Sequence, residues 1–266
     1  MIITKSEAEI DQMAAAGAIL ARCHSLLRSK ARAGVSTAEL DAAAEKFIRA
    51  RGAEPAFKGY RGFPGSICAS PNSMVVHGIP GPYKLKRGDV ISIDIGVVLD
   101  GWVADAAVTL AIGDVSPIAR KLLSVTSEAL DRAVEQCRAE NRLGEVSNAV
   151  QAHVEAHEMS IIRSLVGHGI GRDMHEDPQI PNYGESGTGP RLKPGMVLAI
   201  EPMVNAGADK IRMGNDGWSV YSQDGSLAAH FEHTVAITED GPRILTPWHL
   251  EESDLAAPAA SAGASA

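Results

Sequence analysis

The sequence predicts an α+β fold in which one unit occurs twice, its helices covering one face of a curved antiparallel sheet. Three observations carry that expectation. LKRGDVISID at 85–94 aligns with LKPGMVLAIE at 192–201, and each segment closes on an acid. An Asp-Gly turn follows each, at Asp100-Gly101 and Asp224-Gly225, and a second acid follows each turn, in DAAV at 105–108 and EHTV at 232–235. Two pairs of helix-like segments alternate with the strand-like runs.

In chain order, residues 4–30 read as a helix. Ser6 and Glu9 offer a capping box, and Ile10, Met13, Gly17, Leu20, His24 and Leu27 recur at spacings of three and four. Ser36 and Glu39 offer a second box, with Leu40, Ala44 and Phe47 on one face and Gly52 as the stop. Residues 115–138 and 144–160 read as two further helices. Strand-like runs occupy 65–70, 74–77, 90–112, 161–166, 196–204 and 227–238. The expected organisation is one domain over residues 1–250, with halves of about 1–114 and 115–250. An Ala-rich tail at 251–266 is expected to be disordered.

Composition excludes several classes. A formal charge of −8 over 266 residues argues against nonspecific nucleic-acid binding, which depends on cations neutralising phosphate. Cys23, Cys68 and Cys137 are scattered and form no CxxC pair, which suits a reducing compartment better than a disulfide framework. The N-terminus has no signal-peptide pattern, and no run of 18 apolar residues could span a membrane. A cytoplasmic protein is the expectation, with a monomer as its default state.

The chemistry starts from Asp94 and Asp105, which interrupt the apolar run VISIDIGVVLDGWVADAAVTLAI. Burying a carboxylate costs several kcal/mol unless an opposite charge meets it, and neither strand carries Lys or Arg. If Asp100-Gly101 is a two-residue hairpin loop, Asp94 stands opposite Ala107. Asp105 is then its diagonal neighbour on the same face, at a Cα separation of roughly 7–8 Å. The repeat adds Glu201 and Glu232. One buried Asp is an ordinary polar core residue, but a duplicated pair of acids asks for cations, since four converging carboxylates repel. Two divalent ions supply +4 against −4. His168 and His175, in the glycine-rich LVGHGIGRDMHEDP, and His77, in MVVHGIP, are candidate imidazoles, and His168 completes a set of four carboxylates and one imidazole. Such a set suits Mn²⁺, Fe²⁺ or Co²⁺ at least as well as Zn²⁺.

SICASPNSMVVHGIP, ISIDIG, WVADAAVT, VGHGIG, MHEDPQIPNYG, AIEPMV and NDGWSVYSQDGSLAAHFEHT, in this order and spacing, resemble the type I methionine aminopeptidases in their short bacterial form. The similarity covers nearly all of residues 1–248. It implies a pita-bread fold and a dinuclear metallopeptidase that removes the initiator Met from nascent polypeptides whose second residue is small. Transient ribosome association is expected from that substrate. By the same resemblance Asp94 binds one ion, His168 and Glu201 the other, and Asp105 and Glu232 bridge both. His77 and His175 bind substrate around the scissile amide, and Glu201 also shuttles the proton. Tyr60, Phe63, Cys68, Met174 and Trp218 line the pocket for the Met side chain. Phe63 stands where some relatives carry Tyr, and Met174 where some carry Phe.

Two rivals share these residues. Proline-directed aminopeptidases and prolidases use the same five ligands, usually with an additional N-terminal domain for which this chain has no room. A non-catalytic scaffold of the same fold would typically have lost ligands, and here all five positions are filled. Cysteine nucleophile chemistry at Cys68 has one Cys in a short strand as its only support.

Overall fold

The computed structural model describes residues 1–248, so the Ala-rich tail lies outside the described residues. The chain opens with two N-capped helices, α1 (Glu7–Lys30) and α2 (Thr37–Arg49). Both expected capping boxes form. Glu9 accepts from the Ser6 N–H at 2.8 Å and Ser6 Oγ accepts from the Glu9 N–H at 3.4 Å, with the same pair of bonds between Ser36 and Glu39. Each box satisfies amide donors that the first helical turn leaves without a partner.

Strands β1 (Glu54–Pro55), β2 (Ile67–Pro71) and β3 (Met74–Val76) precede a long hairpin of β4 (Val90–Leu99) and β5 (Trp102–Ala111). Helices α3 (Pro117–Glu135) and α4 (Leu143–Ala156) then repeat the helical pair, both shorter than their expected spans. The second half continues with β6 (Ser160–Ile161), β7 (Val166–Gly169), β8 (Glu176–Pro181), β9 (Val197–Ile200) and β10 (Met203–Asn205). It closes with β11 (Ile211–Met213), β12 (Val220–Ser222), β13 (Ala228–His230), β14 (His233–Thr238) and β15 (Gly241–Ile244). Among the described residues every strand pairing is antiparallel. The strands form a four-stranded sheet (β1-β4-β2 with β5 on β4), a five-stranded sheet (β15-β14-β9-β7-β8) and two small three-stranded ones.

The β4–β5 hairpin has the register its turn dictates. Asp100 (φ 50°) and Gly101 (φ 76°) both take the left-handed conformation that a tight two-residue hairpin loop requires. Leu99 therefore pairs with Trp102, Asp94 with Ala107, and Gly96 with Asp105. The two aspartates are diagonal neighbours on one face. In the second half β9 pairs with β14, ending at Ile200 opposite His233, so Glu201 and Glu232 stand one residue beyond that last pair. The intervening segment carries β10–β13.

The halves are sewn together at this level. Thr234 Oγ1 donates to the Asp105 carbonyl (2.8 Å) and accepts the Asp105 N–H (3.0 Å). Thr109 Oγ1 does the same for His230, at 2.8 and 2.9 Å. The Glu232 N–H donates to the Ala107 carbonyl at 2.9 Å. Two threonine hydroxyls thus stand in for ladder bonds between β5 and the β13–β14 segment. One apolar core serves both halves, with Leu20, Ile93, Leu122, Val150, Leu198 and Ile237 in a single buried cluster. Each such side chain contributes about 1.5–3 kcal/mol by leaving water. That store of burial offsets the cost of an acidic centre.

Candidate metal centre

The seam delivers the acids to one place. Asp94, Asp105, His168, Glu201 and Glu232 all line a single cavity of about 320 Å³. Asp94 and Asp105 come from the hairpin, His168 from β7, and Glu201 and Glu232 from the ends of β9 and β14. One donor atom each of Asp105, His168 and Glu232 lie within 4.8 Å of one another. Asp94, Asp105, His168 and Glu232 are 92% or more buried. Asp94 Oδ1, Asp105 Oδ1 and Glu232 Oε1 are shut off from solvent and accept no hydrogen bond. A native protein rarely leaves buried carboxylate oxygens unsatisfied.

Burial and mutual repulsion set the electrostatics of the acids. Burial, then repulsion from Asp105 and Glu201, pushes the Asp94 carboxyl well above the usual range. Glu201 is raised by burial and by Asp105, and Glu232 by burial and by Asp105, Glu201 and Asp94. Burial lifts Asp105 to about 7 against the hydrogen bonds that hold it down. A divalent cation reverses this by favouring the ionised form of every acid.

His168 is prepared as a donor. Its Nδ1 lies 2.9 Å from the Gly169 carbonyl, which can only accept, so Nδ1 carries the proton. Nε2 is left with a bare lone pair, 3.5 Å from Glu201 Oε1. Burial holds the ring's pKa down. Gly167 permits the close packing behind it, because a Cβ there would sit 2.4 Å from the Ala199 carbonyl and 3.4 Å from Glu201 Cγ. The Glu201 backbone is pinned in turn by Asn182, whose amide donates to its carbonyl at 2.9 Å.

Among the remaining sequence-derived candidates, His77, His175, Tyr60, Phe63, Cys68 and Trp218 share the same cavity. His77 adopts φ 59°, uncommon for a residue with a Cβ, and stays exposed where it lines the cavity. His175 packs on His168 with ring centroids 4.3 Å apart. Burial first, then repulsion from protonated His168, from Arg61 and from protonated His77, takes its pKa down to about 4. Phe63 meets Trp218 edge-on at 5.2 Å, giving the apolar wall a rigid corner. Met174 stands apart from the cavity wall. It is buried in the apolar cluster behind Phe63 and Cys68, against the surface that Gly96 leaves open. Burial and the nearby acids push the Cys68 thiol far up, which leaves it a poor nucleophile.

His230 is the residue that sequence reasoning passed over. It lines the cavity at 2% exposure, and its Nε2 lies 3.7 Å from Glu201 and 3.8 Å from Glu232. Neither ring nitrogen has a hydrogen-bond partner. The available signal was its place two residues before Glu232, the spacing that puts side chains on one face of an extended chain. His233, with the opposite parity, stacks instead on Trp248 with centroids 4.7 Å apart.

The segment bearing His175 is held from the N-terminus. Lys5 Nζ contacts Glu176 Oε2 at 2.5 Å with side chains 3% and 7% exposed, and Glu176 Oε1 accepts the Arg172 N–H at 3.0 Å. Removing one partner of such a pair leaves the other charge buried and alone, which costs about 3–5 kcal/mol. Lys5→Met is therefore expected to lower unfolding stability by that amount in urea titrations. A loss below about 1 kcal/mol would mean that water screens the pair.

Comparison with known proteins follows the same lines. Residues 11–239 match the model of metallopeptidase family M24. The methionine aminopeptidase of Clostridium perfringens is 52% identical over 246 residues, covering 92% of this chain and 99% of that one. The crystal structure of methionine aminopeptidase from Rickettsia prowazekii superposes with a TM-score of 0.91 at 41% identity, covering 92% and 100% of the two chains. The prolidase from Pyrococcus furiosus is more distant, with a TM-score of 0.75 at 25% identity, and this chain spans 65% of it. The pita-bread architecture is common to these relatives. Among the described residues no helix is long and apolar enough to cross a membrane.

Proposed function

This chain belongs to metallopeptidase family M24, and we propose that within it the chain works as a dinuclear metal-dependent aminopeptidase that removes the initiator methionine when the second residue is small. The single observation that carries this reading is the convergence on one cavity of four acids, three of them buried with an orphaned oxygen each, and one bare imidazole nitrogen. The donor set fits divalent ions. Asp94 would hold one, His168 and Glu201 the other, and Asp105 and Glu232 would be shared, so that −4 meets +4. Ions bound there supply Lewis acidity to the substrate carbonyl and lower the pKa of water. Mn²⁺, Fe²⁺, Co²⁺ and Zn²⁺ are all compatible with oxygen donors and one imidazole.

The protein's own groups do the rest. Tyr60, Phe63, Cys68 and Trp218 receive the Met side chain on a surface of aromatic rings and sulfur that suits a thioether, backed by Met174. His77 hydrogen-bonds the substrate beside the scissile amide. His175 donates to the carbonyl oxygen as it gains negative charge. Glu201 takes the proton from the attacking water and passes it to the departing amine. Residues 1–250 act as one catalytic unit of two halves. The protein works as a cytoplasmic monomer in transient contact with ribosomes that present nascent N-termini.

Metal-free protein, reloaded with Mn²⁺, Fe²⁺, Co²⁺ and Zn²⁺ in turn, is expected to cleave Met-Ala-Ser and to leave an X-Pro peptide intact. Preferential cleavage of the proline peptide would overturn the assignment in favour of a prolidase-like activity. His175→Ala is expected to lower kcat by roughly 10²–10³, the usual loss for one oxyanion donor, with metal content unchanged. A variant with wild-type kcat would remove His175 from the reaction.

A further inference from the structure

Tyr60 does more than line the cavity. Its hydroxyl lies 2.8 Å from His175 Nδ1, and the two rings stack at 5.6 Å with an interplanar angle of 25°. Tyr60 is itself held in a tight turn, with Gly59 at φ 87° before it and Arg61 at φ 48° after it. Left-handed backbone at a residue with a Cβ is uncommon, and it persists where the surroundings over-determine it. Here they do. The Gly59 N–H donates to the Phe63 carbonyl at 2.8 Å, and the Phe63 N–H donates to the Tyr60 carbonyl at 2.9 Å. The turn therefore presents the phenol to His175 in one orientation.

A neutral imidazole carries one N–H, and which nitrogen bears it is set by the bond the other makes. A phenol is the stronger donor of this pair and an imidazole nitrogen the stronger acceptor, so the favoured arrangement is O–H to Nδ1. We propose that Tyr60 is a positioning residue, whose hydroxyl donates to His175 Nδ1 and thereby fixes the ring with its proton on Nε2, as a hydrogen-bond donor toward the substrate carbonyl oxygen. The assignment rests on the reading of His175 given above. It explains why a polar hydroxyl sits in an otherwise apolar and sulfur-bearing wall. Without it the ring can rotate or exchange tautomers, and an acceptor lone pair would then face a developing negative charge.

The test uses full-length, Zn²⁺-loaded protein, a diamagnetic form, labelled with ¹⁵N-histidine. Long-range ¹H–¹⁵N correlation spectra identify the tautomer of His175, assigned by its absence in His175→Ala. The wild-type ring is expected to carry its proton on Nε2, with Nδ1 shifted by an accepted hydrogen bond. In Tyr60→Phe, which keeps the stacked ring, that Nδ1 shift is expected to vanish. The same variant is expected to lose about 10- to 100-fold in kcat, the usual range for an outer hydrogen-bond partner, with KM for Met-Ala-Ser within about threefold. A wild-type ring protonated on Nδ1 overturns the proposal alone, provided His175→Ala still loses turnover. An unchanged kcat in Tyr60→Phe also overturns it. An unchanged kcat in His175→Ala overturns the role given to His175 and the proposal with it.

Discussion

Alanine at Asp105 or at Glu232 is expected to abolish tight binding of both ions and to reduce kcat/KM by at least about 10³-fold. Each acid would be shared, so removing either withdraws a ligand from both positions at once. Lewis-acid assistance amounts to several kcal/mol, and each 1.36 kcal/mol is about tenfold in rate. Asp94→Ala, by contrast, should weaken one ion and spare the other. Isothermal titration of metal-free protein with Mn²⁺ measures stoichiometry and affinity for all three variants without reference to turnover. Two ions bound at wild-type affinity in Asp105→Ala would contradict the shared role.

Metal-free protein is expected to lose stability between pH 6.5 and pH 8, and divalent metal is expected to restore it. The sign follows from which state binds more protons. Asp105 is raised to about 7 in the folded chain, and Asp94, Glu201 and Glu232 are raised as well. Above the unfolded carboxylate pKa of about 4, the folded state therefore holds the extra protons, and stability falls as pH rises through the folded values. Buried histidines oppose this at lower pH. His24 and His175 are depressed to about 4 and His230 to about 3, so the unfolded state holds their protons up to about pH 6.5. Above that point the histidine contribution fades over about one pH unit while that of the acids continues. The buried thiols enter only beyond about pH 8.5. Thermal unfolding in chelator at the two pH values tests the fall. At pH 8, an ion present at 100 times its Kd adds about 2.7 kcal/mol, or about 5–10 °C in Tm for a chain of this size. A chelated protein more stable at pH 8 than at pH 6.5 would mean that the acids are not crowded as described.

The first hairpin was legible in the sequence because everything that fixes it is local. Asp100-Gly101 sets the turn, the turn sets the register, and the register puts Asp94 and Asp105 on one face. The caps at Ser6 and Ser36 were legible for the same reason. The second half was harder. Glu201 and Glu232 are brought opposite each other by β9–β14 pairing across a long insertion, and no local rule sets a register over that distance. The repeat pointed to the acids without supplying their geometry. His230 was missed because its importance arises from tertiary approach to Glu201, and Met174 sits behind the wall because Gly96 opens room there. The partner of Tyr60, 115 residues away, was likewise beyond any reading of spacing.

Thr109 and Thr234 give the molecule a built-in order of events. Asp94 and Asp105 leave the ribosome 107 and 96 residues ahead of Glu201 (201 − 94 and 201 − 105). The hairpin that bears them is local in sequence, but the backbone bonds that tie it to the second half, through Thr109 to His230 and through Thr234 to Asp105, wait for the later strands. On the proposed ligand set, a chain that has the hairpin but not yet the β13–β14 segment would hold Asp94 and Asp105 without Glu232, and so would have no complete pair of shared acids.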